Sequence, residues 1–424
     1  MLALGYIRDN PEGVRKGLAA RGESSEAVET ILRLDDERRS VLADLEELRR
    51  RVNEASRRIG AAKDRAERER LISESKEASS GVRPLEERLA NADRELQDAL
   101  LTVPNVPRAD VPPGKTESEN VEVRSGGKAI EFDFEPRNHV ELGESLGIMD
   151  FARSAKISGS GFWLHRGIGA KLQRALINWM LDLHVSEHGY LEVYPPALVR
   201  PECMVGTGQL PKFADDSYAI ERDGLWLDPT AEVPVTNIHR EEILPPGTLP
   251  IYYTAYTPCF RREAGAAGAE TRGLLRVHQF DKVELVKFVE PETSYDEHET
   301  LLKDAEDVVA RLGLPYRILL LCAGEMSAAA AKCYDLELWA PGTGRWLEVS
   351  SVSNYESYQA RRANIRYRPD ADSRPRFVHT LNGSGVALPR LVVALLENYQ
   401  QADGTVIVPE PLRDFLKADV IRPQ

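Results

Sequence analysis

At 424 residues the chain is too long for one compact core, so two or three domains are expected. Its 55 basic and 68 acidic side chains give a net charge of −13, which excludes a protein coated by nucleic acid over its whole surface. Four scattered cysteines argue against a disulfide framework and predict no structural zinc, and without an 18-residue apolar run or a signal peptide we expect a cytoplasmic protein and no membrane span.

Residues 27–102 are the first predicted element, a pair of long helices. Only two glycines and one proline interrupt this stretch, and its apolar residues recur along the narrow seam of a coiled coil. Two such seams flank a polar middle. The pattern therefore predicts an antiparallel helical hairpin with its tip near residues 64–68.

The middle of this hairpin, residues 49–70, carries nine Lys or Arg against four Asp or Glu, a local charge of +5. An acidic protein with one basic element is expected to bind an acidic polymer at that element. Heptad patterns more often serve dimerisation or a purely structural role, and the pattern alone leaves that alternative open. The residues predicted to contact RNA are Arg49, Arg50, Arg57, Arg58, Lys63 and Arg65.

A proline-rich hinge at residues 104–114 follows, and it gives predicted domains at 1–107 and 108–424. Beyond the hinge we predict a helix at 172–188, a strand at 190–194 and a buried helix at 391–399. Short β-rich runs separated by turns lie between them. This pattern predicts an α+β fold built on a mixed or antiparallel sheet.

The segment FRREAGAAGAETRGLLRVHQF, residues 260–280, has strand-like flanks around a loop. Guanidinium groups on a rigid hairpin suit a phosphate, because each can donate two parallel charge-assisted bonds. Phe280 offers a flat face for a purine ring, and the glycines allow close approach to a ligand. A surface hairpin with scattered charge is an equal alternative for this segment alone. Its polar and glycine residues are Arg261, Arg262, Glu263, Gly265, Gly268, Glu270, Thr271, Arg272, Gly273 and Arg276.

Glu348 and Ser351 follow a strand-like stretch at residues 336–347. A carboxylate and a hydroxyl beside a triphosphate are suitable oxygen donors for Mg²⁺, although a solvated Glu is the commoner case. Side chains alternate along a regular strand, so these two would reach one ion only through a local bend.

Three further segments carry polar groups whose role the residues alone leave open. Arg390, after a glycine-containing loop, either enters a site or is a charge at a helix start. Thr230 and Glu232 either clamp a small amine or cap the following segment, and the residues alone favour the cap. Glu284 lies in an apolar strand and faces either solvent or a buried polar ligand.

Taken together, these motifs resemble those of the seryl-tRNA synthetases, class II aminoacyl-tRNA synthetases, of the common bacterial type. The resemblance covers the whole chain, and it rests on the order and spacing of IRDNPEGVRKGL, HGYLEVYPPALV, GTGQLPKF, TAE, FRREAG…RVHQF, EVSS, SNYESYQARR and HTLNGSG…PR. It implies a class II antiparallel-sheet catalytic domain preceded by an antiparallel α-helical coiled-coil arm. The implied activity is that of a serine–tRNA ligase, which forms seryl-adenylate from L-serine and ATP and then charges tRNA(Ser), and also tRNA(Sec).

The resemblance also implies residue roles. Arg261 and Arg390 would be catalytic, and Glu348 with Ser351 would bind Mg²⁺. The implied ATP-binding residues are Arg261, Arg262, Glu263, Arg276, Val277, Phe280, Glu348, Val349, Ser350, Ser351 and Arg390. The implied serine-binding residues are Thr230, Ala231, Glu232, Arg261, Glu284, Asn382 and Ser384. A homodimer is also implied, in which one subunit's arm guides tRNA into the other's site.

Glu325, Val352, Tyr355 and Pro389 depart from the residues frequent in this family, and we expect none of them to contact an assigned residue. The departures leave open whether the chain is a housekeeping enzyme or a specialised second copy. One alternative is a ligase that loads a different acceptor, which the long arm disfavours. Another is a non-catalytic RNA-binding protein, which the retained phosphate arginines disfavour.

Overall fold

The computed structural model of the protein describes residues 1–264 and 273–423. The loop predictions for Gly265, Gly268, Glu270, Thr271 and Arg272 lie outside these residues. The chain divides into two compact units. One consists of Leu2–Ala19 with Glu23–Pro104, and the other of Met1, Ala20–Gly22 and Asn105–Gln424.

The first unit contains four helices: α1 Leu4–Asp9, α2 Pro11–Ala20, α3 Glu26–Ala61 and α4 Arg65–Thr102. The two long helices form the antiparallel hairpin predicted from the heptad pattern, and at 1.5 Å per residue each is about 50 Å long. Their seam is apolar and buried. It includes Val28, Ile31, Leu34, Val41 and Leu45 from α3, and Leu71, Ala78, Ala92, Leu96 and Leu100 from α4.

The tip of the hairpin lies at residues 62–64, so the predicted tip at 64–68 is wrong by a few residues. Asp64 caps α4, because its side chain accepts the backbone N–H of Glu67 at 2.9 Å. An acid at this position satisfies one of the unpaired N–H groups at a helix start. The second helix therefore begins at Arg65.

The second unit combines short helices, three long ones and a large sheet. Its helices are α5 His139–Ser145, α6 Phe151–Ser158, α7 Ile168–Ser186, α8 Pro201–Thr207, α9 Glu232–Thr236, α10 Ser294–Arg311, α11 Tyr358–Ala363, α12 Leu388–Tyr399 and α13 Glu410–Leu416. Its strands are β1 Val121–Gly126, β2 Leu191–Glu192, β3 Leu198–Val199, β4 Ala219–Ile220, β5 Leu225–Leu227, β6 Ile243–Leu244, β7 Ile251–Phe260, β8 Gln279–Val289, β9 Tyr316–Leu320, β10 Lys332–Ala340, β11 Arg345–Asn354, β12 Arg366–Tyr367, β13 Arg376–Phe377, β14 His379–Ala387, β15 Val406–Ile407 and β16 Val420–Ile421.

The main sheet has the strand order β1-β9-β10-β11-β14-β8-β7-β2. Every neighbouring pair is antiparallel except β2 with β7, which is parallel. Side chains from α7, α10 and α12 pack with those of the central strands in one apolar core. This arrangement confirms the predicted α+β fold, in which a helical arm precedes an antiparallel sheet along the chain. No helix among the described residues has the length and apolar character needed to cross a bilayer.

Two local predictions in this unit need correction. The stretch 336–347 is a hairpin, because Pro341 and Gly344 (φ +74°) lie in the turn that joins β10 to β11. The strand predicted at 190–194 shrinks to Leu191–Glu192, since β2 is an edge strand and β7 is its one partner among the described strands.

Candidate active site

A cavity of about 440 Å³ is lined by residues from the central strands of the sheet and from the start of α12. It brings together most of the residues predicted for ATP, serine and metal binding. These are Thr230, Glu232, Arg261, Glu263, Arg276, Val277, Phe280, Glu284, Glu348, Val349, Ser351, Asn382, Ser384 and Arg390.

Three of the residues predicted to bind ATP or serine do not line this cavity. Ser350 is buried, and its hydroxyl donates to the carbonyl of Ser384 at 2.6 Å. Ala231 is fully buried in an apolar cluster beside the site, because it precedes a short buried helix. Arg262 is exposed, and its backbone N–H donates to the carbonyl of Asp216 at 2.7 Å.

A β-bulge at Val349 brings Glu348 and Ser351 to the same wall of the cavity. On the neighbouring strand β10, Leu336 pairs with Ser350 while Glu337 pairs with Glu348, so Val349 is the extra residue. A bulge of this kind re-aims the side chains that follow it. The regular alternation of side chains expected along this strand is therefore wrong. The strand has the local bend that Glu348 and Ser351 need in order to reach one metal ion.

The strands flanking the arginine loop are β7 and β8, which pair with Phe260 opposite Gln279. At the end of β7 the guanidinium of Arg261 lies 5.1 Å from the centre of the Phe280 ring, and its Nε donates to the carbonyl of Pro229 at 3.3 Å. The predicted hairpin is confirmed, and it places a cation against the proposed purine platform.

Glu263 and Arg276 form an ion pair across the two ends of the loop, with 2.6 Å between Oε2 and Nε. Glu263 has φ +50°, a left-handed backbone conformation that costs energy at a residue other than glycine. Backbone strain of this kind is concentrated at functional sites. Bound ATP would therefore compete with the ion pair between Glu263 and Arg276, the two residues predicted to contact it.

Gly273 serves a different purpose from the ligand approach expected of the loop glycines. It has φ +71°, and an added Cβ would lie 2.2 Å from Nε2 of His139. That histidine accepts the backbone N–H of Leu274 at 3.2 Å and contacts Glu397 at 3.0 Å. This glycine therefore lets the loop end dock on a buried side chain.

Arg390 lies in the first turn of α12, next to a proline that suits that position. Its Nη1 donates to the carbonyl of Glu348 at 2.8 Å and lies 3.4 Å from the Oε2 of the same residue. Its Nε donates to the carbonyl of Leu275 at 3.2 Å. Arg390 thus joins the predicted metal ligand to the loop that carries Arg276.

The opposite end of the cavity is acidic and buried. Lys282 lies 2.5 Å from Oε2 of Glu284, and it donates to Oγ1 of Thr230 at 2.7 Å. Gln359 donates to Oε1 of Glu232 at 2.5 Å. Burial, reinforced by the charge of Glu284, raises the pKa of the Glu232 carboxyl to about 7.

Lys282 was missed by the sequence analysis although it lines the cavity. It lies two residues before Glu284 on the same strand, and alternate residues of a strand share one face. Two opposite charges with this spacing in an apolar strand were the signal for a buried pair.

One departure from the family pattern contacts an assigned residue, so the expectation of no such contact is wrong for Tyr355. The hydroxyl of Tyr355 donates to Oδ1 of Asn382 at 2.9 Å, and Tyr355 and Pro389 both line the cavity. Val352 pairs with Gly383 on the strand that carries Ser384. Burial raises the pKa of Tyr355 far above its usual range, so its hydroxyl keeps the proton that it donates.

Within the described residues, no group of three or more His, Cys, Asp or Glu side chains is arranged to hold a metal ion. Glu348 and Ser351 nevertheless offer two oxygen donors on one wall. Such a pair fits Mg²⁺, which is commonly held by one or two carboxylates together with substrate phosphates.

Family models match both parts of the chain. The model of the seryl-tRNA synthetase N-terminal domain matches residues 1–107, and that of the tRNA synthetase class II core domain (G, H, P, S and T) matches residues 218–399. The serine–tRNA ligase of Thermomicrobium roseum is 55% identical over 98% of this chain and 93% of its own length. The chain belongs to the seryl-tRNA synthetase family. The serine–tRNA ligase of Clostridium tetani is 49% identical over the full length of both chains.

Solved structures agree with this family. The seryl-tRNA synthetase from Pyrococcus horikoshii complexed with ATP is 39% identical and has a TM-score of 0.96 over all of both chains. The cytoplasmic serine–tRNA ligase from Naegleria fowleri in complex with AMP is 26% identical, with a TM-score of 0.89. The family, the class II fold and the serine–tRNA ligase activity predicted from the sequence are confirmed.

Proposed function

We propose that the chain activates L-serine with ATP in this one cavity and then charges tRNA(Ser), and also tRNA(Sec), in the cytoplasm. Residues 108–424 would form the catalytic domain and residues 1–107 the tRNA-binding domain. The observation that carries the proposal is the polarity of the cavity, which has guanidinium groups at one end and buried carboxylates at the other. The guanidinium end suits a polyphosphate, and the carboxylate end suits a substrate that carries both an ammonium group and a hydroxyl.

ATP occupies the arginine end in this proposal. Phe280 stacks on the adenine, Glu263 accepts from its amino group, and Val277 packs beside the ring. Arg261 holds the α-phosphate, while Arg276 and Arg390 hold the outer phosphates. Val349, at the bulge, lines the same cavity.

Serine occupies the acidic end. Its ammonium group lies against Thr230 and Glu232, and its hydroxyl lies between Glu284 and Ser384, which pair across β8 and β14. Asn382, oriented by Tyr355, completes the wall. A substrate without the hydroxyl leaves buried polar groups unpaired, which is a costly loss and the basis for rejecting alanine.

The chemistry follows from this placement. The serine carboxylate is already a nucleophile, so no general base is needed when it attacks the α-phosphorus and pyrophosphate leaves. Fixed guanidinium groups offset the charge that develops in the transition state and hold attacker and leaving group in line. The 3′-hydroxyl of the tRNA then attacks the seryl carbonyl, and AMP leaves.

Mg²⁺ is the cofactor that Glu348 and Ser351 would hold, and it would supply positive charge to the phosphates. We expect Glu348→Gln to raise the Mg²⁺ concentration for half-maximal pyrophosphate exchange about tenfold or more, because a carboxylate donor is lost. The matched control is Glu337→Gln, on the neighbouring strand, whose carboxylate instead pairs with Arg317. Titration of Mg²⁺ at fixed ATP measures both, and equal responses would rule out Glu348 as a ligand.

The pH dependence of serine binding follows from Glu232. Its pKa of about 7 in the empty cavity means that the carboxyl is largely protonated at pH 6, whereas the serine ammonium needs the carboxylate. The KM for serine should therefore rise about tenfold between pH 8 and pH 6. Steady-state pyrophosphate exchange at saturating ATP measures this.

Two variants test whether Glu232, and not another buried acid, causes this pH dependence. Glu232→Gln should raise the KM for serine at every pH and flatten its pH profile. Burial also raises the pKa of Asp228 to about 7, but Asp228 does not line the cavity, so Asp228→Asn should retain the wild-type slope. A slope that survives in Glu232→Gln would assign the titration to another group.

The arm would bind the tRNA through the free cations near its tip. Arg49, Arg50 and Arg65 lie in ion pairs with acids of the same hairpin, at 2.7 to 3.1 Å. Among the described residues Arg57, Arg58 and Lys63 are exposed and form no salt bridge within 4.0 Å. The second set is therefore the better supported for phosphate contacts.

The proposed assembly is a homodimer in which the arm of one subunit serves the cavity of the other. The edge strand β2 supports it, because Leu191 and Tyr194 are 62% and 85% exposed there. Large apolar side chains clustered at an open sheet edge are typical of a protein interface. Sedimentation should give twice the chain mass of 47.3 kDa.

The test of the proposed function is a panel of pyrophosphate exchange with each of the twenty amino acids, followed by charging of bulk tRNA. Exchange with serine alone, and seryl transfer to tRNA, are the expected results. Exchange with serine that never leads to charged tRNA would instead indicate a different acceptor.

A further inference from the structure

The strand β14 carries Ser384 into the acidic end of the cavity, and its path is irregular at that point. Ser384 pairs with Glu284 and Ala387 pairs with Lys282, so β14 has one more residue than β8 between these pairs. A bulge disrupts the ladder locally and leaves main-chain groups to be satisfied by other partners. The direction of Ser384 thus depends on what holds this bulge.

Two side chains from outside the β8–β14 pair contact adjacent carbonyls of the bulge. Ser350, on β11, donates from its hydroxyl to the carbonyl of Ser384 at 2.6 Å. His184, on α7, contacts the carbonyl of Gly385 through Nε2 at 3.1 Å. Both side chains are buried, at 1% and 0% exposure. An added Cβ at Gly385 would lie 2.6 Å from Nε2, so only glycine permits this approach.

The hydrogen-bond partners determine the tautomer of His184. A carbonyl can only accept, so Nε2 of His184 must carry the proton. Burial lowers the pKa of His184 to about 4, which keeps the ring neutral and leaves Nδ1 as an acceptor. Nδ1 of His188 lies 2.9 Å away and donates to it when His188 carries protons on both ring nitrogens.

His188 is itself held by a chain of charged groups. Its Nε2 lies 3.1 Å from Oδ2 of Asp307 on α10, and that carboxylate accepts from Nε of Arg311 at 2.7 Å. Arg311 also forms a two-point ion pair with Glu187, at 2.8 and 2.6 Å. The ring of Tyr190 lies 5.9 Å from that of His184. The orientation of His184 is therefore fixed from α10 as well as from its own helix.

We propose that His184 and Ser350 are positioning residues for the amino-acid end of the cavity, each fixing one carbonyl of the bulge that aims Ser384. This inference rests on the proposed function, since it assigns Ser384 to the serine pocket. It also replaces the ATP-binding role predicted for Ser350 from the sequence. Neither residue lines the cavity.

The test is the KM for serine and the KM for ATP in pyrophosphate exchange, measured on the full-length protein. His184→Leu removes the donor to Gly385 and should raise the KM for serine about tenfold to a hundredfold, because a buried acceptor is left unpaired. The KM for ATP should stay within about twofold. His184→Gln, which restores an N–H donor, should recover most of the serine KM.

Ser350→Ala is the second variant, and it tests the proposal if His184→Leu does not fold. A rise in the KM for serine alone supports the proposal. A rise in the KM for ATP alone, equal changes in both constants, or no change in either would overturn it. Absence of serine-dependent exchange in the wild-type protein would instead reject the proposed function, and this inference with it.

Discussion

Arg261→Ala is expected to abolish serine-dependent pyrophosphate exchange, with a loss of about a thousandfold or more. Arg261 directly follows the strand β7, and its guanidinium lies over the Phe280 ring at 5.1 Å. In the proposal it holds the α-phosphate, where charge develops as serine attacks. Removing a fixed donor at that position removes transition-state stabilisation.

Two matched variants sharpen this experiment. Arg262→Ala removes the same charge one residue later, but Arg262 does not line the cavity, so exchange should stay within about threefold of wild type. Arg261→Lys keeps a charge and loses the two-point geometry, so an intermediate loss is expected. Near wild-type exchange in Arg261→Ala would refute the assigned role.

Deleting residues 40–90 should spare adenylate formation and remove tRNA charging. The deletion shortens α3 and α4 while the cavity is built entirely from residues after 208. Serine-dependent exchange measures the first step alone, and seryl-tRNA formation measures both. Charging by the shortened protein at the rate of the full-length protein would contradict the proposal that the arm binds tRNA.

Point variants test the same idea without shortening the hairpin. Replacing Arg57, Arg58 and Lys63 by glutamine should weaken tRNA binding and make its salt dependence shallower by about 2 to 3 in the log–log slope, one phosphate contact per residue. The control is the pair Arg49→Gln and Arg50→Gln, whose cations already pair with Glu86 and Glu47. A larger loss of tRNA binding in the control pair would contradict the assignment of the phosphate contacts to Arg57, Arg58 and Lys63.

The features best predicted from the sequence are those that neighbouring residues determine. The hairpin around the arginine loop follows from two apolar runs separated by a glycine-rich stretch, and the long arm follows from a seam repeated over many turns. Even the error at the tip is local, because Asp64 could be read as a turn residue or as the cap of the next helix.

The features missed by the sequence analysis depend on the register in which separate strands pair. The bulge at Val349 exists only in register with β10, and the contact of Tyr355 with Asn382 joins residues 27 positions apart. Single residues there look like substitutions without consequence. Only the assembled sheet shows that they shape the cavity wall.

Lys282 illustrates the same limit. Its spacing from Glu284 indicated a shared strand face, but whether that face was buried depended on β7 and β14 on either side. Burial strengthens the interaction between Lys282 and Glu284, because water no longer screens their charges.

The most direct measurement is a crystal structure of the protein with ATP and L-serine bound. We expect the adenine on Phe280, the α-phosphate at Arg261 and the serine hydroxyl between Glu284 and Ser384. A nucleotide bound elsewhere, with Arg261 and Arg390 directed into solvent, would contradict the claim that one cavity joins the two substrates.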